Sequence, residues 1–298
     1  MPLNGLHLLL TYQCTMECDH CFVWSGPAAH GTMSLANIRH ILRQAEELGG
    51  IEWIYFEGGE PFLFYARLLT GVRLAVRKGF RVGLVTNAYW GTGVEEARWA
   101  LRPFRGLVSD LSVSSDLYHG DAVEARYAEN TRAAAAELGI PCSILSVAQP
   151  EDARAAKRVG QLPPGTSAVM YRGRAAVRLA GRAPTVPWST LRRCPYENLR
   201  DPSRVHINPE GTVQLCQGIS LGNVFETPLR EIIRAYDPEA HPIVGPLLKG
   251  GPVALTRTYG LTHRARYADA CQLCYEARRS LRRRFWSILG PDPLYGIV

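Results

Sequence analysis

At 298 residues, 46% of them hydrophobic, the chain can bury a sizeable core as one large α/β domain or as one domain with a smaller appendage. No apolar run approaches the length of a membrane span, and Met1-Pro2-Leu3-Asn4-Gly5 lacks a charged-then-apolar signal peptide, so the expectation is a cytoplasmic protein with no membrane partner. The formal charge of +7 comes with arginines spread along the chain and reads first as a solvated basic surface, with a patch for an acidic peptide or, less favoured, nucleic acid as the alternative.

The first predicted element is a buried strand, Leu6-His7-Leu8-Leu9-Leu10. Directly after it come Cys14, Cys18 and Cys21, three of the eight cysteines, in the spacing Cys-x3-Cys-x2-Cys. A strand running into this loop sets three thiols at its carboxyl end, where parallel α/β folds keep their chemistry. Clustered cysteines in a reducing compartment argue for metal rather than disulfides. Three soft ligands suit an iron–sulfur cluster, or zinc with His20 as fourth ligand.

A helix follows from Ser34, its N-cap, with the apolar stripe Leu35, Ile38, Ile41, Leu42, Ala45 and Leu48 and a stop at Gly49-Gly50. The second strand, Glu52 to Phe56, runs into Glu57-Gly58-Gly59-Glu60-Pro61. Further expected elements are a helix over 64–78, a strand from Phe80 to Asn87, a helix from near Val94 and a strand from Leu107 to Ser114. An alanine-rich helix over 121–138, a strand from Cys142 to Val147, a helix near 151–159 and a sixth strand from Ser167 to Tyr171 complete the series. Six strand–helix alternations imply a parallel sheet with right-handed crossovers, in a stretch too short for an eight-fold barrel.

After about residue 180 the composition shifts. Pro184, Pro187 and the polar residues from Gly181 to Arg193 read as a linker. Arg204 to Cys216 reads as a β-hairpin turning at Pro209-Glu210-Gly211, and a helix capped by Thr227 with Pro228 at its first position follows. Cys194, Cys216, Cys271 and Cys274 form a second set, the last two as Cys-x2-Cys at the start of a C-terminal helix. Four thiolates suffice for a closed zinc site or a fully ligated four-iron cluster. The run Arg278 to Arg284 on that helix faces either water or an anionic substrate. Cys142, inside the fifth strand, reads as a small buried apolar residue.

Cys-x3-Cys-x2-Cys after the first strand and Gly-Gly-Glu-Pro after the second resemble the radical S-adenosylmethionine (SAM) superfamily. That resemblance implies a partial (β/α)6 TIM-like barrel in residues 1–180. It also implies a [4Fe-4S] cluster on Cys14, Cys18 and Cys21, with the open iron chelated by SAM and a 5′-deoxyadenosyl radical as product. Gly58 and Gly59, with Glu60 and Pro61, are assigned by it to the methionine end of SAM; Gly58 and Gly59 admit a close backbone approach there, and Glu60 accepts backbone N–H bonds. His20 stands where the family usually has an aromatic ring packing on adenine. Ser114 and Asp116 are placed for ribose hydroxyls, with loop capping as the alternative, and Thr86-Asn87 resembles the family's Thr-Asn-Gly. Asp116, Tyr118, His119 and Arg172 are the candidates facing substrate; Arg172 and Arg174 are expected at the cavity mouth, clamping a carboxylate or SAM.

Cys194, Gly211-x4-Cys216 and Leu221-Gly222-Asn223-Val224-Phe225 resemble the SPASM/twitch extension. This implies a small C-terminal α+β unit over 181–298 with one auxiliary [4Fe-4S] cluster, zinc remaining the alternative. The expected substrate is a ribosomally made peptide, and the expected electron donor a reductant such as flavodoxin or ferredoxin. With the first strand starting near Leu6, a separate leader-peptide-binding protein is expected. A small molecule such as a cofactor precursor or nucleoside is the second reading, and a non-catalytic iron–sulfur or zinc scaffold the third.

Overall fold

A computed structural model describes residues 3–120, 122–152, 162 and 165–297. Strand β1 (Gly5–Thr11) is buried along nearly its whole length, with Leu6, Leu8 and Leu10 in the core. On the other face His7 lines an interior cavity, and Leu9, also in the core, borders another. Around β1 lie β2 (Trp53–Gly58), β3 (Arg81–Thr86), β4 (Asp110–Ser114), β5 (Cys142–Val147) and the two-residue β6 (Thr166–Ser167), all parallel. The crossovers carry α1 (Leu35–Leu48), α2 (Tyr65–Arg77), α3 (Val94–Leu101) and α4 (Ala122–Leu138). Ser34 caps α1 by accepting from the Asn37 amide, and Gly49 at φ 72° ends it, as the cap chemistry anticipates. The fold is α/β with a mostly parallel sheet. The helix expected near 151–159 falls almost wholly outside the described residues.

The sixth strand is shorter than its sequence suggests. Only Thr166 and Ser167 pair, with Ser146 and Val147 of β5, and Val169 and Tyr171 leave the sheet to form a small core with Ala175 and Leu179. A short helix, α5 (Arg174–Arg178), follows.

The residues read as a linker instead contain β7 (Val186–Pro187), paired antiparallel with β11 (Arg266–Tyr267). The hairpin is β8 (Arg204–Ile207) and β9 (Thr212–Cys216), continued by β10 (Ile219–Asn223). β8 pairs in parallel with β1, His206 opposite His7, so the sheet runs β10-β9-β8-β1-β2-β3-β4-β5-β6. Helix α6 (Leu229–Ala235) starts one residue later than expected: Pro228 occupies the cap position and no side chain caps the helix. It docks on α1, where Gln44 donates to the Val224 carbonyl at 2.8 Å and accepts from the Leu229 amide. Helix α7 (Val244–Thr258) has no counterpart in the sequence reading, since Gly250, Gly251 and Pro252 break its pattern, and Gly250 and Gly251 leave helical geometry in the structure. Helix α8 (Ala270–Leu281) opens behind Asp269, which accepts from the Gln272 amide, and carries Cys271 and Cys274 in its first turn and a half. No helix among the described residues is long and apolar enough to cross a membrane.

Candidate active site

The loop after β1 folds the three clustered cysteines onto one cavity of about 140 Å³, shared with Gly58, Gly59 and His20. Its backbone is tied by Tyr12 N–H to the Gly31 carbonyl at 3.0 Å and Cys14 N–H to the Gly26 carbonyl at 3.0 Å. Amides also point at sulfur: Met16 N–H to Cys14 Sγ at 3.5 Å and Ser25 N–H to Cys21 Sγ at 3.4 Å, with the Asn87 side-chain amide donating to Cys14 Sγ at 3.5 Å. Burial pushes the Cys14 thiol up to about 11 and Cys18 higher still. Buried sulfurs surrounded by N–H donors and short of countercharge fit a cationic metal core, which would ionise them.

The Gly-Gly-Glu-Pro turn locks this loop in place. A Cβ on Gly59 would lie 2.1 Å from the Gln13 carbonyl oxygen, and one on Gly58, at φ 139°, 2.4 Å from that of Thr11. The glycines are therefore demanded first by the cysteine loop's own backbone, a contact the sequence reading assigned to the cofactor alone. Glu60, wholly buried, accepts from the Phe62 amide at 2.9 Å, the Thr86 hydroxyl at 2.9 Å and the Asn87 amide at 2.8 Å. It welds the end of β2 to the end of β3, the bonding role foreseen for it. Pro61 opens a short 3-10 turn beside it.

His20 stacks on Tyr118 with ring centroids 4.7 Å apart and meets His119 edge-on at 5.0 Å. Burial drops its imidazole to about 4, so the ring is neutral near pH 7. Ser114 lines the same cavity. Asp116 is committed to its own loop: it accepts from the Tyr118 amide at 2.9 Å, His119 Nδ1 at 2.8 Å and the Val147 amide at 3.0 Å. Burial opposes its charge, yet these donors and the His119 and His20 rings hold it below the ordinary carboxylate range.

Arg172 and Arg174 do not reach the cavity mouth. Gly173, at φ 59°, presses this segment so tightly on Phe22 that a Cβ would lie 2.5 Å from the Phe22 Cα. Both neighbouring arginines consequently turn inward. Arg174 donates to the carbonyls of Cys18 at 2.8 Å and Ser25 at 2.6 Å, clamping the cysteine loop from behind. Arg172 donates to Cys216 Sγ at 3.1 Å and Glu197 at 3.3 Å.

Cys194, Cys216, Cys271 and Cys274 line one apolar pocket between the hairpin and α8. Burial pushes up the thiols of Cys194, Cys271 and Cys274, the last to about 11. Arg278, the first of the basic run, faces neither water nor substrate: it is buried in this pocket's wall and donates to the Gln217 carbonyl at 2.7 Å. Cys142 is half-buried and packs against the main core.

Residues 8–154 match the radical SAM superfamily. This stretch is a radical SAM domain. A radical SAM domain implies an enzyme that uses a four-iron cluster and SAM. Over 122 residues the chain is 28% identical to YydG of Bacillus subtilis, named for peptide biosynthesis, spanning 41% of this chain and 38% of YydG. It is 34% identical over 83 residues to the tungsten-containing aldehyde ferredoxin oxidoreductase cofactor-modifying protein of Pyrococcus furiosus, 28% of this chain and 23% of that one. The match to YydG thus leaves more than half of that relative's length uncovered. Among solved structures, BtrN in complex with AdoMet and 2-DOIA shares the fold, with a TM-score of 0.53 at 14% identity over 83% of this chain and 88% of BtrN.

Next to the cysteine cavity the radical SAM barrel encloses a second one of about 600 Å³. The two share His20, Phe22, Glu57 and His119 on their walls. Its polar lining, including His7, Tyr55, Asp110 and Arg204, was missed in the sequence. The signal was there: His7 interrupts an otherwise leucine-rich strand, and Tyr55 and Glu57, like Asp110 and Ser112, recur at the strand period of two.

Proposed function

We propose that the protein reductively cleaves SAM on a [4Fe-4S] cluster held by Cys14, Cys18 and Cys21 and abstracts a hydrogen atom from a substrate in the adjoining barrel cavity. The observation that carries this reading is the convergence of the three cysteines and the Gly58-Gly59 turn on one cavity that borders a second, larger one. Among the described residues, two groups bring three metal-ligating atoms within 4.8 Å of one another, and neither includes a cysteine.

When bound, the cluster and SAM supply the radical. The chain's own contribution is positioning and exclusion of water. Gly58 to Pro61 cradle the methionine end of SAM, and Glu60 holds that turn rigid. The neutral His20 ring and Ser114 take the adenosine, with Asp116 ordering the loop that bears Tyr118 and His119. Arg174 serves SAM at one remove, by fixing the cysteine loop. Cys194, Cys216, Cys271 and Cys274 hold an auxiliary [4Fe-4S] cluster in a C-terminal SPASM/twitch-like unit, residues 181–298. Arg172 belongs to that second site, a more specific placement than its candidacy as a substrate-facing residue.

The substrate proposed first is a ribosomally made peptide, supported by the likeness to YydG, with a flavodoxin or ferredoxin as reductant. A polar small molecule is the second reading. It is favoured by the cavity itself, whose size and inward-facing polar side chains suit a small ligand.

Iron and sulfide content after anaerobic reconstitution tests the proposal. About eight irons per chain are expected, falling to about four in Cys14→Ala/Cys18→Ala/Cys21→Ala. Formation of 5′-deoxyadenosine from SAM should vanish in that variant. Zinc in place of iron at Cys14, Cys18 and Cys21 would overturn the reading.

A further inference from the structure

Three side chains on adjacent strands form a compact group used neither by the cysteine loop nor by the Gly-Gly-Glu-Pro turn. His7 of β1 stands opposite His206 of β8, and Glu57 of β2 lies opposite Leu9, two residues beyond His7 on the same strand face. His7 Nδ1 is 3.0 Å from Glu57 Oε2, and His206 Nε2 is 3.3 Å from Glu57 Oε1. One ligating atom from each residue lies within 4.8 Å of the other two.

The second of these contacts is not a hydrogen bond. Glu57 Oε1 is buried without a hydrogen-bond partner, although the His206 nitrogen is beside it. The carboxylate oxygen and the imidazole nitrogen are therefore close without bonding each other, which leaves both free to take a ligand. Donors about 2.1 Å from a shared ion, at tetrahedral to octahedral angles, stand about 3.0–3.4 Å apart, and the two histidine–Glu57 contacts, one to each carboxylate oxygen, fall in that range. The histidine rings are held in place, His7 stacking on Tyr55 at 4.6 Å and His206 wedged against His7 at 4.9 Å. Arg204 is paired with Glu197 at 3.2 Å and adds to the pull of His7 and His206 that holds the Glu57 carboxyl ionised. His7 and Glu57 also line the 600 Å³ cavity, so coordination positions beyond the three protein ligands open into it.

We propose that His7, Glu57 and His206 form a site for one divalent transition-metal ion on the wall of the barrel cavity, presenting open coordination positions to a substrate oxygen or nitrogen. Two imidazoles and one carboxylate suit zinc, iron(II) or cobalt(II) better than magnesium or calcium. The ion would act as a template, fixing a polar group of the substrate against the SAM cavity. Metal binding here does not depend on the radical reading. Only the substrate role rests on it.

The test is zinc titration of the reconstituted, cluster-loaded protein, followed by zinc K-edge absorption. One zinc per chain is expected, with a shell of nitrogen and oxygen near 2.0–2.1 Å and no sulfur near 2.3 Å. His206→Gln and, separately, His7→Gln should each abolish that equivalent while iron and sulfide stay at the wild-type level. Absence of tight zinc, a sulfur shell, or zinc unchanged in both variants would overturn the site. If a variant misfolds, the wild-type absorption spectrum still decides. Iron, sulfide and 5′-deoxyadenosine report separately on the radical reading, so the two failures are distinguishable.

Discussion

The Arg172 guanidinium donates to Cys216 Sγ at 3.1 Å while lying over the Phe22 ring at 5.0 Å, so one buried side chain touches both the second cysteine set and the residue that follows Cys21. A fixed positive charge beside a thiolate stabilises whichever state of the site carries more negative charge. Replacing Arg172 with Gln should lower the midpoint potential of the auxiliary cluster proposed there by on the order of 100 mV, a buried-charge effect at moderate effective dielectric. An EPR-monitored redox titration measures it, and an unchanged potential would remove Arg172 from that role.

Gly59→Ala should disorganise the first cysteine loop. The new methyl group would sit 2.1 Å from the Gln13 carbonyl oxygen, in backbone that has no side-chain freedom to yield. A cost of about 1–3 kcal/mol is expected from such overpacking. Iron should fall by about four per chain, leaving the second site loaded. Full iron content would show that the loop adapts.

Arg174→Met keeps the aliphatic stem and removes the two donors that hold the Cys18 and Ser25 carbonyls. Each charged hydrogen bond contributes about 1.5–3 kcal/mol. The variant should lose SAM-site iron faster than wild type on exposure to chelator, while the auxiliary iron is released at an unchanged rate.

Burial pushes the Glu60 carboxyl up to about 7 from its ordinary 4.5, against the three hydrogen bonds it accepts. The folded pKa lies above the unfolded one, so the stability this group contributes is complete below about pH 4.5 and is lost as pH rises through 7. The difference corresponds to roughly 3 kcal/mol between those limits. Urea unfolding of the cluster-free protein at pH 5 and pH 8 should show this loss in wild type and not in Glu60→Gln, whose amide does not titrate. Parallel pH dependences would contradict the assignment.

Much of this architecture is legible in local chemistry. Leu6 to Leu10, the Ser34 cap with its Gly49 stop, and the Pro209-Glu210-Gly211 turn each encode their element within a few residues, because caps, turns and apolar periods act over one turn or one strand. The cysteine spacing and Gly-Gly-Glu-Pro belong to the same class, each a short motif whose requirement is backbone geometry. Helix α7 was hidden because its two glycines and proline break the helical period, and tertiary packing rather than propensity holds it together.

What the tertiary structure alone decided is which distant residues share a site. Arg172 and Arg174 read alike in sequence, yet the φ of 59° at Gly173 sends one to Cys216 and the other to the Cys18 carbonyl. Nothing local foretells that β8 lies beside β1 and so sets His206 against His7, 199 positions away by their numbering. Motifs, composition and periodicity determine the cysteine loop and the strand–helix order, since those depend on neighbours in the chain. The lining of the cavity depends on strand register across the sheet, and only the folded molecule sets that register.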